Sequence, residues 1–325
     1  MKAAVVTEAG KAPVYGDFET PIAKTGEEII SVRASALSPF SKSRASGAHY
    51  SSVGEFPSIA GTDGVGITQD GRRVYFVLPE APFGALAEMC PVRSSQCAML
   101  PDSLDEITAA AIANPGMSAW AALVERAHLM AGETVLVNGA TGTAGRLAVQ
   151  LAKHLGAGKV IATGRNAQEL EEVKKLGADV AIPFELGTPH PSGAKDYENV
   201  LKEVFASGID VVIDYLWGES AKTIIVAIAK AVEDGTPVRF VHVGGASREE
   251  NIALPGAALR SSAIMLMGSG VKSVRLPVLL QSIRSVFEVV QPAGLKIATA
   301  VVPLAEVEET WVKATGKPRV VFSIP

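Results

Sequence analysis

The chain has 325 residues, which is long enough for two domains of ordinary size. It carries 30 Lys and Arg residues against 34 Asp and Glu residues, and this net charge of −4 argues against a nucleic-acid-binding protein and a protein that binds anionic membranes. Hydrophobic residues make up 48% of the chain and charged residues 20%, a balance that excludes an intrinsically disordered protein.

The cysteine content and the first residues indicate a compartment. The two cysteines, Cys90 and Cys97, are too few for a disulfide framework or a cysteine-rich zinc site. The opening residues, MKAAVVTEAG, lack the long apolar core of a secretory signal. We find no uncharged apolar stretch of the roughly 18 residues that a membrane span needs. We therefore expect a cytoplasmic protein that binds no membrane and no nucleic acid.

Residues 1–115 contain short runs of β-forming residues separated by Gly, Pro and Ser. The runs are Lys2–Thr7, Glu28–Ala34, Gly64–Thr68 and Arg72–Val77. This spacing is typical of a β-rich barrel or sandwich.

From about Pro115 the pattern changes to an alternation of helices and strands. The predicted helices are Ser118–Leu129, Ala144–Leu155, Asn166–Leu176, Tyr197–Phe205 and Glu219–Val232. The predicted strands are Thr134–Asn138, Val160–Ala162, Val180–Ile182, Asp210–Asp214, Val238–Val243 and Ile264–Met267. Such alternation predicts an α/β domain, a Rossmann-type doubly wound parallel sheet, over residues 116–268.

Residues 269–325 do not continue this alternation cleanly. They are predicted to form a helix, a strand, a second helix and a last strand, at Leu276–Val290, Ile297–Val302, Leu304–Thr315 and Arg319–Phe322. We expect this tail to fold back onto the first region and complete that domain.

The segment between the strand Thr134–Asn138 and the next helix resembles a dinucleotide-binding turn. Such a turn needs three small residues, for a tight bend, close approach to the diphosphate and close packing of helix on strand. Ala140, Gly142 and Gly145 occupy these positions, with the bend expected at Ala140. The predicted cofactor contacts here are Asn138, Ala140, Thr141, Gly142, Thr143, Ala144 and Gly145. The alternative is a glycine-rich turn that merely connects two elements.

The end of the next strand favours NADP(H) over NAD(H). An NAD-binding unit places Asp or Glu there for the ribose, whereas this chain has Gly164, Arg165 and Asn166. The Arg165 guanidinium could pair with a 2′-phosphate. The alternative is that Arg165 is an ordinary solvated charge.

Several motifs carry a resemblance that runs nearly from end to end. They are Val32–Pro39, Pro57–Gly66, Gly84–Glu88, Gly116–Leu123, Gly139–Gly145, Gln150–Lys153, Leu176–Asp179 and Gly316–Val321. In this order they resemble the zinc-independent medium-chain dehydrogenases/reductases of the quinone oxidoreductase-like branch. The resemblance implies a GroES-like catalytic domain, built from both chain ends, and a Rossmann domain. It also implies a possible homodimer.

The resemblance further implies that no metal is used. Where zinc-dependent relatives carry their zinc ligands, this chain has Ser38, Thr62, Asp63 and Asn114, a poor donor set for zinc. The histidines have no ligand spacing, and we expect each of them to be a surface or packed residue: His49, His128, His154, His190 and His242.

The family resemblance alone suggests that two residues of the first region contact the substrate or the cofactor. Tyr50 lies close to the position of a tyrosine that relatives carry near the substrate, and it is predicted to be a hydrogen-bond donor or general acid. The alternatives are that Tyr50 only packs on substrate, or that His49 takes its role. Ser38 stands where many relatives have an Asn near the nicotinamide ribose.

Further cofactor contacts are predicted in the second region. Ser118 matches a family Thr on the phosphate side of the nicotinamide, or is simply a helix N-cap. The predicted contacts at strand ends are Tyr215, Val243, Gly244, Ser269 and Gly270. Core packing is the alternative for Tyr215, and ordinary turns are the alternative for the glycines.

Three functions follow as hypotheses. The first is an NADPH-dependent oxidoreductase that transfers hydride, without metal, to a small-molecule quinone or α,β-unsaturated carbonyl (enone). The second is a non-catalytic NADPH-binding protein, because a fold does not establish an activity. The third is a zinc-free alcohol or ketone oxidoreductase.

Overall fold

The computed structural model describes residues 1–49, 52 and 54–325. The chain forms two compact units. The first comprises residues 1–117, 275–292 and 297–325, and the second comprises residues 118–274 and 293–296. Both chain ends therefore lie in the first unit.

The elements alternate as the hydrophobic patterning indicates. The strands are β1 (Lys2–Val6), β2 (Val14–Asp17), β3 (Glu27–Ala36), β4 (Ser58–Ile59), β5 (Asp63–Thr68), β6 (Arg73–Val77), β7 (Met89–Arg93), β8 (Cys97–Met99), β9 (Thr134–Asn138), β10 (Lys159–Gly164), β11 (Val180–Pro183), β12 (Val211–Asp214), β13 (Pro237–His242), β14 (Ala263–Gly268), β15 (Thr299–Pro303) and β16 (Arg319–Ser323). The helices are α1 (Pro39–Ala45), α2 (Glu106–Trp120), α3 (Thr143–His154), α4 (Ala167–Lys174), α5 (Gly193–Phe205), α6 (Gly218–Ala231), α7 (Gly256–Arg260), α8 (Leu276–Val289) and α9 (Val307–Lys313).

The first unit is β-rich and joins the two ends of the chain in one sheet. Its larger sheet has the order β15-β16-β3-β5-β6-β8, with β7 also paired to β3, and a smaller sheet has the order β2-β1-β4. The last strand, β16, runs antiparallel to β3. Ile30, Phe76 and Phe322 are fully buried between these elements. The β-rich domain predicted from both chain ends is confirmed.

The second unit is a six-stranded parallel sheet of order β11-β10-β9-β12-β13-β14. Numbered within the unit, this order is 3-2-1-4-5-6, the Rossmann arrangement. Every residue of β12 is buried, as expected for a central strand covered on both faces. The amphipathic helix α3 buries Leu147 and Leu151. The doubly wound sheet is confirmed.

Helix α2 differs from the sequence prediction, because it begins at Glu106 rather than at Ser118. Pro115 lies inside this helix, and a π-helical turn, Ala121–Arg126, continues it. The combined stretch Glu106–Arg126 has the length and mean hydropathy of a membrane-spanning helix, but 61% of its apolar window is buried within the protein. We interpret it as a core helix.

Candidate functional site

The turn between β9 and α3 is shaped by two glycines. Gly139, directly after β9, has a φ angle of +84°, which residues with a side chain rarely adopt. A Cβ atom added to Gly145 would lie 2.4 Å from the carbonyl oxygen of Gly139 and 2.7 Å from the Cα atom of Ala140. The start of α3 therefore packs so closely against the end of β9 that position 145 has no room for a side chain. The predicted bend at Ala140 is corrected, because the left-handed backbone lies one residue earlier.

Residues 141–144 form the accessible part of this turn. Ala140 and Gly145 are buried, whereas Thr141, Gly142, Thr143 and Ala144 are half-buried. Gly142 is the N-cap of α3, and a Cβ atom at this position would lie 3.5 Å from the Gly139 carbonyl oxygen, an ordinary contact distance. The first amide groups of a helix have no acceptor within the helix, and they carry the positive end of its dipole. This side of the turn can therefore receive an anionic diphosphate.

Arg146 adds a positive charge beside the turn, which the sequence analysis missed. Its Nε atom donates to the carbonyl oxygen of Thr141 at 3.1 Å. One terminal nitrogen lies 3.7 Å from a carboxylate oxygen of Glu169. A basic residue directly after the last small residue of the turn was the available signal.

Three predicted contacts lie at the end of β10. Gly164 is buried, and a Cβ atom there would lie 3.0 Å from a methyl group of Thr141. Arg165 is exposed. Asn166 is the N-cap of α4, where its side chain accepts a hydrogen bond from the Glu169 amide at 3.1 Å. Arg165 is thus the accessible cation at this strand end, while Asn166 orders the helix that follows.

The Asn138 side chain forms hydrogen bonds to residues of both neighbouring strands and does not reach the surface. Its side chain is fully buried and donates to Asp214 Oδ1 at 2.8 Å and to the Ser220 hydroxyl at 3.1 Å. The side-chain oxygen of Asn138, Oδ1, accepts a hydrogen bond from the Thr163 hydroxyl at 2.8 Å. Because these bonds occupy the side chain, the prediction that it contacts a cofactor is corrected.

Asp214 and His242 form a hydrogen-bonded pair at the ends of β12 and β13. The Nδ1 atom of His242 lies 2.8 Å from Asp214 Oδ2. The Trp217 ring packs on the imidazole, with ring centroids 4.5 Å apart. The expectation that His242 is merely a surface or packed residue therefore missed this pair. The signal was a polar residue at the end of one predicted strand, Asp214, and another one residue before the end of the next predicted strand, His242.

The neighbouring strand ends are tied together by their backbones. The amides of Val243 and Gly244 donate to the Asp214 carbonyl oxygen at 2.7 Å and 3.2 Å. The amide of the buried Ser269 donates to the His242 carbonyl oxygen at 2.8 Å. The exposed Gly270 donates to the Ser273 hydroxyl at 2.7 Å. The four predicted contacts therefore lie along one edge of the sheet.

Tyr215 belongs to the core of the second unit. Its side chain is buried, and its hydroxyl makes no well-formed hydrogen bond with any residue that the structure describes. Burial raises the pKa of Tyr215, and the Ser118 hydroxyl partly offsets this effect. Ser118 itself lies inside α2, so the alternative that it caps a helix is wrong. The packing interpretation of Tyr215 fits this geometry.

In the first unit, hydroxyl groups form a chain that ends on a buried carboxyl group. Ser38 is the N-cap of α1, accepting from the Ser41 amide at 2.9 Å, and the two hydroxyl oxygens are also 2.9 Å apart. The Ser41 and Thr62 hydroxyls are 2.9 Å apart, and Thr62 donates to Asp63 Oδ1 at 2.6 Å. Ser41 and Thr62 also line a cavity of about 70 Å³.

The Asp63 carboxyl group lies beside an arginine from the opposite end of the chain. Burial raises the pKa of Asp63, and the hydrogen bonds from Thr62 and Tyr75 and the charge of Arg319 partly offset this effect. Burial also lowers the pKa of Arg319. The Nε atom and one terminal nitrogen of Arg319 have no partner among the described residues. Strands β5, β6 and β16 therefore enclose a buried polar cluster.

The residues at the zinc-ligand positions do not fit zinc. Zinc prefers thiolate, imidazole or carboxylate ligands, whereas Ser38 and Thr62 offer hydroxyls that are hydrogen-bonded within the cluster. Asp63 accepts from both Thr62 and Tyr75. Asn114 is half-buried in α2. Among residues 1–49, 52 and 54–325, no three His, Cys, Asp or Glu side chains form a metal-binding group.

The predicted catalytic residue Tyr50 lies outside the described residues. Its neighbour His49 packs edge-on against the Phe40 ring, with centroids 4.9 Å apart. The proposal for Tyr50 therefore continues to depend on the sequence.

Comparison with known proteins gives a family match that lies mostly in the second unit. A family model described as "Zinc-binding dehydrogenase" matches residues 144–284. That segment does not include positions 38, 62, 63 and 114. The match therefore does not conflict with the residues that stand at the zinc-ligand positions of this chain.

Full-length and partial relatives point to the same family. A probable NADPH-dependent quinone reductase of Emericella nidulans is 26% identical and is aligned over all of both chains. A chloroplastic NADPH-dependent alkenal/one oxidoreductase of Arabidopsis thaliana is 32% identical over 57% of this chain and 52% of its own length.

The fold has close counterparts among solved structures. A mycobacterial quinone oxidoreductase superimposes with a TM-score of 0.84 over all of both chains, at 21% identity. At that identity, the likeness shows the fold.

Proposed function

Because the chain belongs to the medium-chain dehydrogenase/reductase superfamily, in its quinone oxidoreductase-like branch, we propose that it is an NADPH-dependent reductase of quinones or α,β-unsaturated carbonyl compounds. The observation that carries the choice of cofactor is the glycine turn at Gly139–Gly145 together with the exposed Arg165 at the end of the adjacent strand.

The second unit supplies the proposed cofactor site. The accessible turn at residues 141–144 receives the diphosphate on the first amide groups of α3. Arg165 pairs with the 2′-phosphate through charge-assisted hydrogen bonds. The ends of β13 and β14, at Val243, Gly244 and Gly270, lie on the edge where open α/β sheets bind ligands. When bound, NADPH supplies hydride.

The chemistry of the first unit favours an acceptor that is electron-poor by itself. A simple aldehyde or ketone usually needs a Lewis acid to polarise its carbonyl group. The hydroxyl-rich cluster of Ser38, Thr62 and Asp63 does not offer a zinc site. Quinones and enones accept hydride with orientation and a proton donor alone. Tyr50 is one candidate for that donor.

The test measures cofactor binding and turnover separately. Fluorescence titration should show NADPH binding more tightly than NADH. NADPH oxidation should then occur with tetramethyl-1,4-benzoquinone or cyclohex-2-enone. Tight NADPH binding without turnover of any acceptor would instead support a non-catalytic NADPH-binding protein. Aldehyde reduction that survives chelation would support the alcohol or ketone oxidoreductase, and failure to bind NADPH would overturn the proposal.

We further propose a cytoplasmic homodimer. Strand β14 is at one edge of the parallel sheet and exposes 43% of Met265 and 42% of Leu266. Unpaired strand edges of this kind can pair with a second copy of the chain. Light scattering at micromolar concentration should give the mass of two chains, and Leu266→Lys should lower it to the mass of one chain.

A further inference from the structure

Asp214 and His242 join a buried carboxylate to an accessible imidazole. They are paired in register at the carboxyl ends of β12 and β13. The Asp214 side chain is fully buried, whereas that of His242 is 34% exposed. Ligands of open α/β sheets bind at this edge. The pair therefore lies where a polar side chain can meet a bound molecule.

The surrounding hydrogen bonds fix the orientation of the imidazole. Asp214 accepts from Asn138 Nδ2 at 2.8 Å and from the amides of Leu216 at 3.1 Å and Trp217 at 3.1 Å. Because a carboxylate only accepts, the Nδ1 atom of His242 carries the hydrogen of the bond between them. None of the described residues bonds to the Nε2 atom. A buried carboxylate bonded to Nδ1 in this way fixes the tautomer and the orientation of the imidazole.

A cavity that is open to solvent lies in front of His242. Its volume is about 610 Å³, and it is lined by Trp217, His242, Gly245, Arg248, Glu249 and Glu250. Small-molecule sites commonly have volumes of roughly 300–1,000 Å³. The Trp217 and His242 rings are 4.5 Å apart and inclined by 42°, so they form a partly aromatic wall. Such a wall suits a flat ring more than an aliphatic chain.

We propose that His242 donates a proton from Nε2 to the reduced acceptor, that Asp214 is its positioning residue, and that the acceptor is a quinone whose ring packs against Trp217. This inference rests on the proposed function and adds to it the proton donor and the side chain against which the quinone ring packs.

The proton and electron balance is complete. Addition of hydride to a quinone, from the cofactor of the proposed function, gives a hydroquinone monoanion. The Nε2–H bond of the imidazolium breaks, a bond from that proton to the remaining oxygen forms, and neutral imidazole and hydroquinone result. Water then returns a proton to Nε2, while the hydrogen on Nδ1 stays on the Asp214 bond.

The charged groups near His242 come from the following loop and from β12. Arg248, Glu249 and Glu250 line the same cavity. Glu249 is engaged by the start of α6, where its carboxylate accepts from the Glu219 amide at 3.2 Å. Asp214 is the charged residue in direct contact with the imidazole.

The decisive experiment replaces the imidazole and keeps its bond to Asp214. In His242→Asn the amide nitrogen can still donate to Asp214, but no group replaces Nε2. The exposed His154 at the end of α3 provides the matched control, His154→Asn. Single-turnover oxidation of bound NADPH by tetramethyl-1,4-benzoquinone should slow by about 10²- to 10⁴-fold in H242N and stay within about twofold in H154N.

Two readouts do not depend on turnover. The NADPH dissociation constant should be the same within about threefold in wild type and H242N, a difference of no more than about 0.7 kcal/mol. In wild-type protein labelled with ¹⁵N-histidine, the His242 signal is identified as the one that H242N lacks. When the imidazole is neutral, the ¹⁵N chemical shifts of this signal should be those of the Nδ1–H tautomer. Addition of the quinone should shift its Nε2 resonance.

Three results would overturn the inference. An H242N rate within threefold of wild type, with unchanged NADPH binding, excludes His242 as the donor. Loss of rate in Tyr50→Phe with retention in H242N assigns the proton to Tyr50. A wild-type chain that reduces no acceptor overturns the proposed function itself, and the inference then falls with it.

Discussion

The hydroxyl group of Tyr75 on β6 donates a hydrogen bond of 2.8 Å to the Asp63 carboxyl group on β5, and both side chains are buried. The positive charge of Arg319, on the last strand, lowers the pKa of the same carboxyl group. The polar cluster therefore links the two ends of the chain inside the first unit, and these hydrogen bonds partly offset the cost of burying its polar groups.

Replacing Tyr75 by Phe should destabilise the folded chain by about 1–3 kcal/mol, because a buried carboxyl oxygen loses its donor. The pKa of Asp63 is raised in the folded state, so stability from this group is present at low pH and is lost as the pH rises through the raised value. The Tyr75 hydrogen bond lowers that pKa, so Y75F should raise it further. Urea unfolding should therefore show a larger penalty at pH 7 than at pH 4.

Tyr197 provides the matched control. It is also buried, it packs on Phe184 at a centroid distance of 4.7 Å, and its hydroxyl makes no well-formed hydrogen bond with the described residues. Y197F should leave the free energy of unfolding unchanged or raise it slightly. Equal penalties for the two variants would show that the hydroxyl of Tyr75 is not what stabilises the cluster.

Gly142 and Gly145 should respond differently to alanine. A Cβ atom at Gly145 would lie 2.4 Å from the Gly139 carbonyl oxygen, so G145A should destabilise the chain by about 1–3 kcal/mol through overpacking. The space at Gly142 is open, so G142A should keep its melting temperature while weakening NADPH binding at least about tenfold. Calorimetry and fluorescence titration measure the two effects, and unchanged NADPH binding in G142A would contradict the proposed diphosphate site.

The sequence predicts the parallel sheet well because its signals are local. Strand Thr134–Asn138 matches the structure residue for residue, since a continuous apolar run is followed at once by a glycine turn. Helix α2 was predicted to begin too late because Pro115 usually ends a helix, whereas here the buried alanines before it continue into a packed helix.

The polar part of the candidate site could not be predicted as well. Asn138 and Asp214 are 76 residues apart, and Asp214 and His242 are 28 residues apart, so their contacts depend on the pairing of strands. A sequence pattern shows that each residue lies at or next to the end of a strand. It does not show which side chains meet, so the sequence predicts a cofactor contact for Asn138, whose side chain is fully buried in the structure.

The hydroxyl donor set at Ser38 and Thr62 predicts that activity does not depend on zinc. Dialysis against 1,10-phenanthroline should leave quinone reduction unchanged, because bonded hydroxyls are poor zinc ligands. Elemental analysis of the purified chain should find less than about 0.1 zinc per chain, in keeping with such a donor set. Stoichiometric zinc that is lost together with activity would contradict this prediction.

Arg165 should determine the preference between the two nicotinamide cofactors. It is exposed at the end of β10, where no carboxylate occupies the position used for a free ribose hydroxyl. Arg165→Ala should weaken NADPH binding by about 1.5–3 kcal/mol, or roughly 10- to 150-fold, because a charge-assisted bond to the 2′-phosphate is lost. NADH, which lacks that phosphate, should bind as before. The exposed Arg260 on α7 gives a control, R260A, that removes the same charge elsewhere on the second unit. If R165A weakened NADH and NADPH equally, or if R260A had the same effect, the side chain would not contact the 2′-phosphate.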